Sequence, residues 1–262
     1  MPEASTPIFE RDGERFLPTE LARGPWDAQA LHGGAPAALL ARTVEMWEPG
    51  HDLFVSRLTY EFLRPVPLAP LEVSVETLRP GRRAQLVGAS LRSGGDEVCR
   101  LTALRLARPP ASAVIAEDTP APPGPQQGRP ITFSLAPTTE VSFAASAMRM
   151  RFVAGEDSPG PATVWLRLAH PLLRDEPASP LVRVVAAADF GNGVGAALDF
   201  ERFVFINADL TVHLHRAPEG EWVCLDAVTR ISAGAGAMAE SRLYDERGPI
   251  GRAVQSLVVG ER

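Results

Sequence analysis

Residues 58–100 and 210–252 carry the same pattern without a gap. Leu58-Thr59 matches Leu210-Thr211, Arg64 matches Arg216, Leu91 matches Leu243 and Arg100 matches Arg252, every pair 152 positions apart. Chance rarely holds one spacing over four landmarks, so the chain reads as a duplicated unit. Whatever one copy folds into, 262 residues must accommodate it twice. Each copy is then roughly 110 residues, the size of a small domain.

The unit itself is legible. In the first half, GPWDAQALHGGAPAALLARTVEMW places Pro36 in a first helical turn and Leu39, Leu40, Val44 and Met46 or Trp47 at helical spacing. One helix of about four turns is predicted. Four strand-like runs follow, LFVSRLTYEFLRP, LEVSVETLRPG, RRAQLVGASLRSGG and EVCRLTALRLAR, separated by Pro, Gly and Asp turn signals. The second half repeats this order: a strand region VSFAASAMRMRFV, then TVWLRLAH, a helical stretch LVRVVAAADFGNGVGAALDF, and four further runs to the C-terminus. Leu58, Tyr60 and Phe62 alternate with Arg57, Thr59 and Glu61, giving one covered and one polar sheet face. A long apolar helix is the element available to cover such a face, so the class is α+β. A helix wrapped by a curled antiparallel sheet, occurring twice, describes a double hotdog: two tandem helix-wrapped sheets packed as a pseudo-dimer.

An N-terminal hairpin is signalled by PIFERDGERFLPT, with Asp12-Gly13 as its turn. Between Pro109 and Pro137 lie eight prolines with little apolar periodicity, which reads as a linker. The expected boundaries are therefore 1–108, a linker at 109–137, and 138–262.

Composition excludes several function classes. The net charge is −6, whereas phosphate-backbone binding needs clustered positive charge, so no nucleic-acid or anionic-membrane partner is expected. All 26 basic residues are Arg, which removes Schiff-base and P-loop lysine chemistry. Cys99 and Cys224 stand in unrelated contexts and indicate neither a disulfide framework nor a zinc cluster. The N-terminus lacks a signal-peptide pattern and no run approaches about 18 apolar residues, so a cytoplasmic protein is expected.

HGGAPAALLA opening the first helix, AAADF in the second, DLTVHLHRAPEGEW on a strand pair and SRLYDERGPIGRAVQSLVV at the end together resemble the thioesterase-like double-hotdog proteins. Their best-known group is the bacterial acyl-CoA thioesterase II type. The resemblance implies an acyl-CoA substrate, no cofactor or metal, and a fold compatible with a homodimer. That family positions a water for attack on the thioester with an Asp on the second-half helix, a Thr on the following strand and a Gln on the last strand. The Asp falls on Asp189 and the Gln on Gln255. The Thr position falls on Asn207, which offers an amide in place of a hydroxyl.

The residues support this placement to different degrees. Asp189 interrupts an apolar helical run, where a carboxylate is costly unless hydrogen-bonded or used. Gln255 alternates with the apolar side of its strand, shared with Ala253, Leu257 and Val259. Strict alternation instead groups Asn207 with Phe205, Asp209, Thr211 and His213, away from Leu210, Val212 and Leu214, unless a bulge intervenes. Shifting the three back by 152 gives Ala37, Val55 and Ala103, so a site kept in one copy and lost in the other is expected.

His32, Gly33 and Gly34 begin the first helix. Their backbone N–H groups are candidates for an oxyanion or substrate-binding site, although close packing of the helix start accounts for the glycines equally well. Asp27 and His32 have the spacing of hotdog enoyl-CoA hydratases without the surrounding motif of that family. His213 and His215 could chelate a metal by spacing, but no nearby Cys or Glu completes a set. Two functional classes remain: a thioester hydrolase, and a non-catalytic acyl-CoA or acyl-carrier binding module.

Overall fold

A computed structural model describes residues 6–48, 52–110, 112–113, 120–131, 141–155 and 159–262. The first half begins with a hairpin of β1 (Phe9–Asp12) and β2 (Arg15–Pro18) and continues through α1 (Gly34–Met46). Four strands follow, β3 (Leu53–Phe62), β4 (Leu71–Arg79), β5 (Ala84–Ser93) and β6 (Asp96–Ala107). The second half has β7 (Arg129–Ile131), β8 (Met148–Ala154), β9 (Ala162–Leu168), α2 (Pro180–Ala188) and the single-turn α3 (Gly191–Val194). It ends with β10 (Phe203–Asn207), β11 (Asp209–Leu214), β12 (Trp222–Ile231), β13 (Ala237–Asp245) and β14 (Gly248–Glu261).

All 14 strands belong to one antiparallel sheet, in the order β1-β2-β4-β5-β6-β3-β11-β14-β13-β12-β9-β8-β7, with β10 beside β14. The patterning implies two sheets, and the structure joins them into one. Strands β3 and β11 pair from Glu61 opposite Asp209 to Arg57 opposite His213. This removes two exposed edges that would otherwise leave a row of unpaired backbone groups. Outward from that junction β3-β6-β5-β4-β2-β1 matches β11-β14-β13-β12-β9-β8, with β7 added at the outer edge of the second half.

The 152-residue repeat reappears in the hydrogen-bond register. The β3–β6 ladder slips between Val55 and Arg57, leaving Ser56 as the extra residue. In the second half Asn207 faces Leu257 while Thr211 faces Val254, which leaves Ala208 extra. Positions 56 and 208 differ by 152. A second slip, between Leu91 and Arg92, recurs between Leu243 and Tyr244. A bulge occupies a defined place in a ladder, so two bulges at one offset tie the halves together more tightly than residue identities do.

The helices do not keep that offset. Six residues separate α1 from β3, whereas residues 189–202 separate α2 from β10 and contain α3. Ala37 lies inside α1 and is not the positional equivalent of Asp189, which caps the C-terminus of α2. The corresponding cap of α1 is Trp47. Val55 and Ala103 remain the positional equivalents of Asn207 and Gln255 because the strand registers match.

Helix α1 buries Ala35, Ala37, Ala38, Leu39, Leu40, Ala41 and Val44. Helix α2 is started by Ser179, whose Oγ accepts from the Val182 N–H at 3.2 Å, with Pro180 in the first turn. The two pack antiparallel. At one end Gly34 sits so close to α2 that a Cβ would lie 2.8 Å from the Ala186 carbonyl oxygen. At the other, Arg42 makes a bidentate pair with Glu176 (2.5 and 2.6 Å) and Ser179 Oγ donates to Glu45.

Three boundaries differ from the sequence reading. The hairpin turn is Gly13-Glu14, one residue later than Asp12-Gly13, with Gly13 at φ +60°. The region beginning at Phe143 is one turn of π-helix to Ala147 before β8 begins. Inside the expected linker, residues 120–131 lie on the second half: Trp165 Nε1 donates to the Pro123 carbonyl (2.7 Å), and Arg129–Ile131 pair with β8 as an edge strand. Proline is tolerated there because an edge strand needs only half its donors.

Candidate active site

The junction of the halves brings the start of α1 against the end of α2. Asp189, at that helix end, is buried with its carboxylate only 3% exposed. A carboxylate in such a place needs partners, and it has them. Asn207 Nδ2 donates to Oδ1 at 2.9 Å, and Gln255 Nε2 approaches the same oxygen at 3.4 Å while donating to the Asp189 backbone carbonyl at 3.2 Å. His32 Nδ1 lies 3.0 Å from Oδ2. The three residues expected on a water-activating site therefore converge, and His32 joins them.

The bulge at Ala208 is what admits Asn207. Without it, Asn207 and Leu210 would face opposite sides of the sheet. With one extra residue, Phe205 and Asn207 turn inward together with Leu210, Val212 and Leu214. Gln255 sits inward on β14 between Ala253 and Leu257, 1% exposed. Its Oε1 accepts from the Asn192 backbone N–H at 3.0 Å, so the amide is oriented from both ends. Asn192 in turn donates through Nδ2 to the Phe205 carbonyl at 3.2 Å, tying α3 to β10.

The two glycines at the helix start have different tasks. A Cβ on Gly33 would stand 2.8 Å from Asp189 Oδ2, so the missing side chain is the space the carboxylate occupies. Gly34 faces α2 and does not line the cleft; its N–H is directed at His32 Nδ1 at 3.1 Å. Gly34 is thus unavailable as an oxyanion donor, and the close-packing alternative holds for it. Gly33 remains beside the cleft.

The cleft has a volume of about 540 Å³. Asp189, Asn207, His32 and Gly33 line its inner end, with Phe62 and Phe190. Trp26, Phe200 and Phe205 form a contiguous aromatic wall, with ring centroids 4.6 to 6.0 Å apart. His32 stacks on Phe190 at 4.4 Å and lies 5.1 Å from Phe143. Asp27 lies at the rim, its Oδ1 taken by the Gln29 N–H. The hydratase-like Asp27–His32 pair is not formed; the carboxylate that meets His32 is Asp189.

Sequence reasoning missed Phe190, Asn192 and the aromatic wall. Phe190 and Asn192 lie in the segment 189–202, which is longer than its six-residue counterpart 47–52 in the first half, and that excess length is the signal that could have pointed to them. At the corresponding end of α1 the space is filled by side chains. Trp47 Nε1 donates to Thr77 (2.9 Å), Arg105 donates to the Trp47 carbonyl (2.9 Å), and Gln85 donates to Glu48 (2.6 Å). His213 and His215 lie exposed on β11 and just beyond it. Among the described residues no group of His, Cys, Asp and Glu could hold a metal ion, and no helix is long and apolar enough to cross a membrane.

Solved structures similar over nearly the whole chain share this architecture. A candidate thioesterase II from Thermobifida fusca aligns at 17% identity and TM-score 0.74, covering 99% of each chain. A candidate thioesterase from Novosphingobium aromaticivorans aligns at 22% identity and TM-score 0.69, covering 97% of this chain and 99% of that one. A hot dog fold protein of unknown function from Alicyclobacillus acidocaldarius aligns at 17% identity and TM-score 0.71, covering 97% and 95%. No curated protein matches the sequence. Two family models do: the acyl-CoA thioesterase N-terminal domain over residues 22–106 and the acyl-CoA thioesterase C-terminal domain over residues 114–259. The two family models, which between them span most of both halves, place this chain in the acyl-CoA thioesterase family.

Proposed function

We propose that the protein hydrolyses acyl-CoA thioesters with a water activated at Asp189. The observation that carries this reading is the convergence of Asp189, Asn207 and Gln255 on one buried carboxylate at the end of an apolar cleft. Asn207 and Gln255 fix the carboxylate, which draws the proton of a water and aims its oxygen at the acyl carbon. The Gly33 N–H faces the carbonyl oxygen as charge develops on it. The C–S bond then breaks, releasing the acid and CoA, with no covalent enzyme intermediate and no cofactor. Aromatic rings and aliphatic side chains of the cleft receive the apolar parts of the substrate.

In this reading the chain is a double hotdog packed as a pseudo-dimer in the cytoplasm, with a first unit at 1–108 and a second at 138–262 that also takes in the strand β7 from the segment 109–137 between them. One site serves both units. The test is a thiol-release screen over short, medium, long and aromatic acyl-CoAs. Turnover of at least one class is expected. Tight acyl-CoA binding by calorimetry with no thiol release in any class would instead identify a binding module, to which the Asn in the usual Thr position would then be the clue.

A further inference from the structure

We propose that the outer face of the sheet carries an oxyanion site in which Arg242, Arg252 and His213, extended by Arg57, bind a small multivalent phosphate. The site is independent of the thioesterase reading. These four residues stand in one row across four adjacent strands. Arg242 of β13 pairs with Arg252 of β14, Arg252 with His213 of β11, and His213 with Arg57 of β3. Alternation with buried Leu243, Ala253, Val212 and Leu58 turns all four away from the helices and from Asp189. Three strand spacings of about 4.8 Å make the row roughly 14 Å long.

Like charges directly opposite one another destabilise a sheet, and here they are left uncompensated. Among the described residues none of the four side chains has a hydrogen-bond or ion-pair partner, and the Arg57 Nε is buried without one. The nearby acids are engaged elsewhere: Glu240 pairs with Arg230, Glu61 with Arg100 and Asp245 with Arg216. Asp226, in register with Arg242 at the end of the row, accepts from the Thr163 hydroxyl at 3.4 Å.

The duplication supplies a comparison within the same chain. Shifted back by 152, His213 becomes Glu61, Arg252 becomes Arg100 and Arg242 becomes Ser90, and these three are likewise in register. In the first copy an acid thus stands beside the single arginine, which reaches Glu61 at 4.0 Å and Glu97 at 2.5 Å. In the second copy the acid is a histidine and the serine an arginine. The unit folds with a compensated row, so the fold does not require the uncompensated one. A hollow of about 640 Å³ lies over the second-copy row, lined by His213, His215, Arg242, Arg252, Tyr244 and Pro249. Guanidinium forks meet phosphate oxygens two at a time, and arginines on neighbouring strands can share one phosphate or bridge two. A row of this length suits a diphosphate-sized anion rather than the many phosphates of a nucleic-acid backbone.

The test titrates inorganic pyrophosphate calorimetrically, at low ionic strength, into wild type, Arg252→Gln and His213→Glu. Wild type should bind one pyrophosphate. Arg252→Gln, which removes one charge-assisted contact, should bind about 10-fold or more weakly, and His213→Glu, which restores the acid of the first copy, should abolish binding. Asp189→Asn should bind as wild type does, since the cleft lies on the other face. No binding by wild type, or equal binding by wild type and both row variants, would overturn the site. Melting curves without the anion give a second reading. Relief of like charges should leave Arg252→Gln at or above the wild-type melting temperature, and a clearly lower value would show that Arg252 is engaged in the fold and overturn the row as uncompensated. Given pyrophosphate binding, CoA titrated into the same proteins identifies the source: affinity that falls in Arg252→Gln names the diphosphate of CoA itself as the occupant, and affinity that holds names a free phosphate compound.

Discussion

Each oxygen of the Asp189 carboxylate has a different neighbour, so its surroundings can be taken apart one residue at a time. A hydrogen bond to a charged group contributes about 1.5–3 kcal/mol, or roughly 10- to 100-fold in rate if it is made only in the transition state. Asn207→Ala should therefore lower kcat by at least about 10-fold, while Asn207→Thr, which keeps a short donor, should retain most of it. Equal losses in steady-state assays of the two would mean that the amide, and not a donor in general, is required. Gly33→Ala introduces a methyl group 2.8 Å from Oδ2 and should displace the carboxylate, with a loss comparable to that of Asn207→Ala. At this scale Asp189 and Gln255 were readable from the sequence because each interrupts an apolar pattern. Asn207 was reached only through the family resemblance, since one bulged residue reverses the face of everything before it and leaves no compositional trace. The neighbours of His32 were illegible because Asp189 lies 157 positions away in the chain and they meet only through packing of the helices.

The packing of α1 against α2 fixes the distance across the site. Gly34→Ala would press a methyl group against the Ala186 carbonyl and force the helices apart, an overpacking change that costs about 1–3 kcal/mol. Urea denaturation should show this as a lower midpoint, and activity should fall with it because the start of α1, with Gly33, moves away from Asp189. Farther away, Arg216 holds Asp245 with two short hydrogen bonds and also donates to the Gly248 carbonyl. Burial raises the Asp245 carboxyl, but Arg216 and the N–H groups of Arg247 and Glu219 outweigh it and hold it below its ordinary value of 3.8. A lowered carboxyl stabilises the fold above 3.8, and that contribution disappears as the pH falls through the folded-state value. Arg216→Ala should thus lose roughly 3 kcal/mol near neutral pH, a difference that narrows in acid below about pH 4. A gap of constant size down to pH 2 would show that the pair contributes through packing alone. The strands and α1 were legible because period and turn residues agree locally. The π-turn at Phe143–Ala147 and the break after Ala188 were not, since both are set by tertiary contacts, among them the Phe143–His32 and Gly191–Gln255 contacts.

Over the whole molecule, duplication explains the sheet and departure from duplication explains the site. The strand registers match at one offset, yet the segment 189–202 is longer than its counterpart 47–52 and carries Phe190, Asn192 and Phe200. One acyl-CoA per chain is therefore expected by calorimetry with the Asp189→Asn protein. Cys99 and Cys224 are fully buried, and desolvation pushes both thiols up, so alkylating the native protein should modify neither and leave thiol release unchanged. Rapid inactivation by such a reagent would reopen covalent catalysis. The repeat and its α+β unit are legible in the sequence, but the joining of the halves through β3 and β11 is not, because edge pairing depends on which strands end up outermost. The most direct measurement is thiol release from acyl-CoA by wild type and by Asp189→Asn at matched folded concentration. Turnover by wild type with a drop of about 10²-fold or more in the variant is the predicted result, and equal turnover by the two would contradict the assignment of this site.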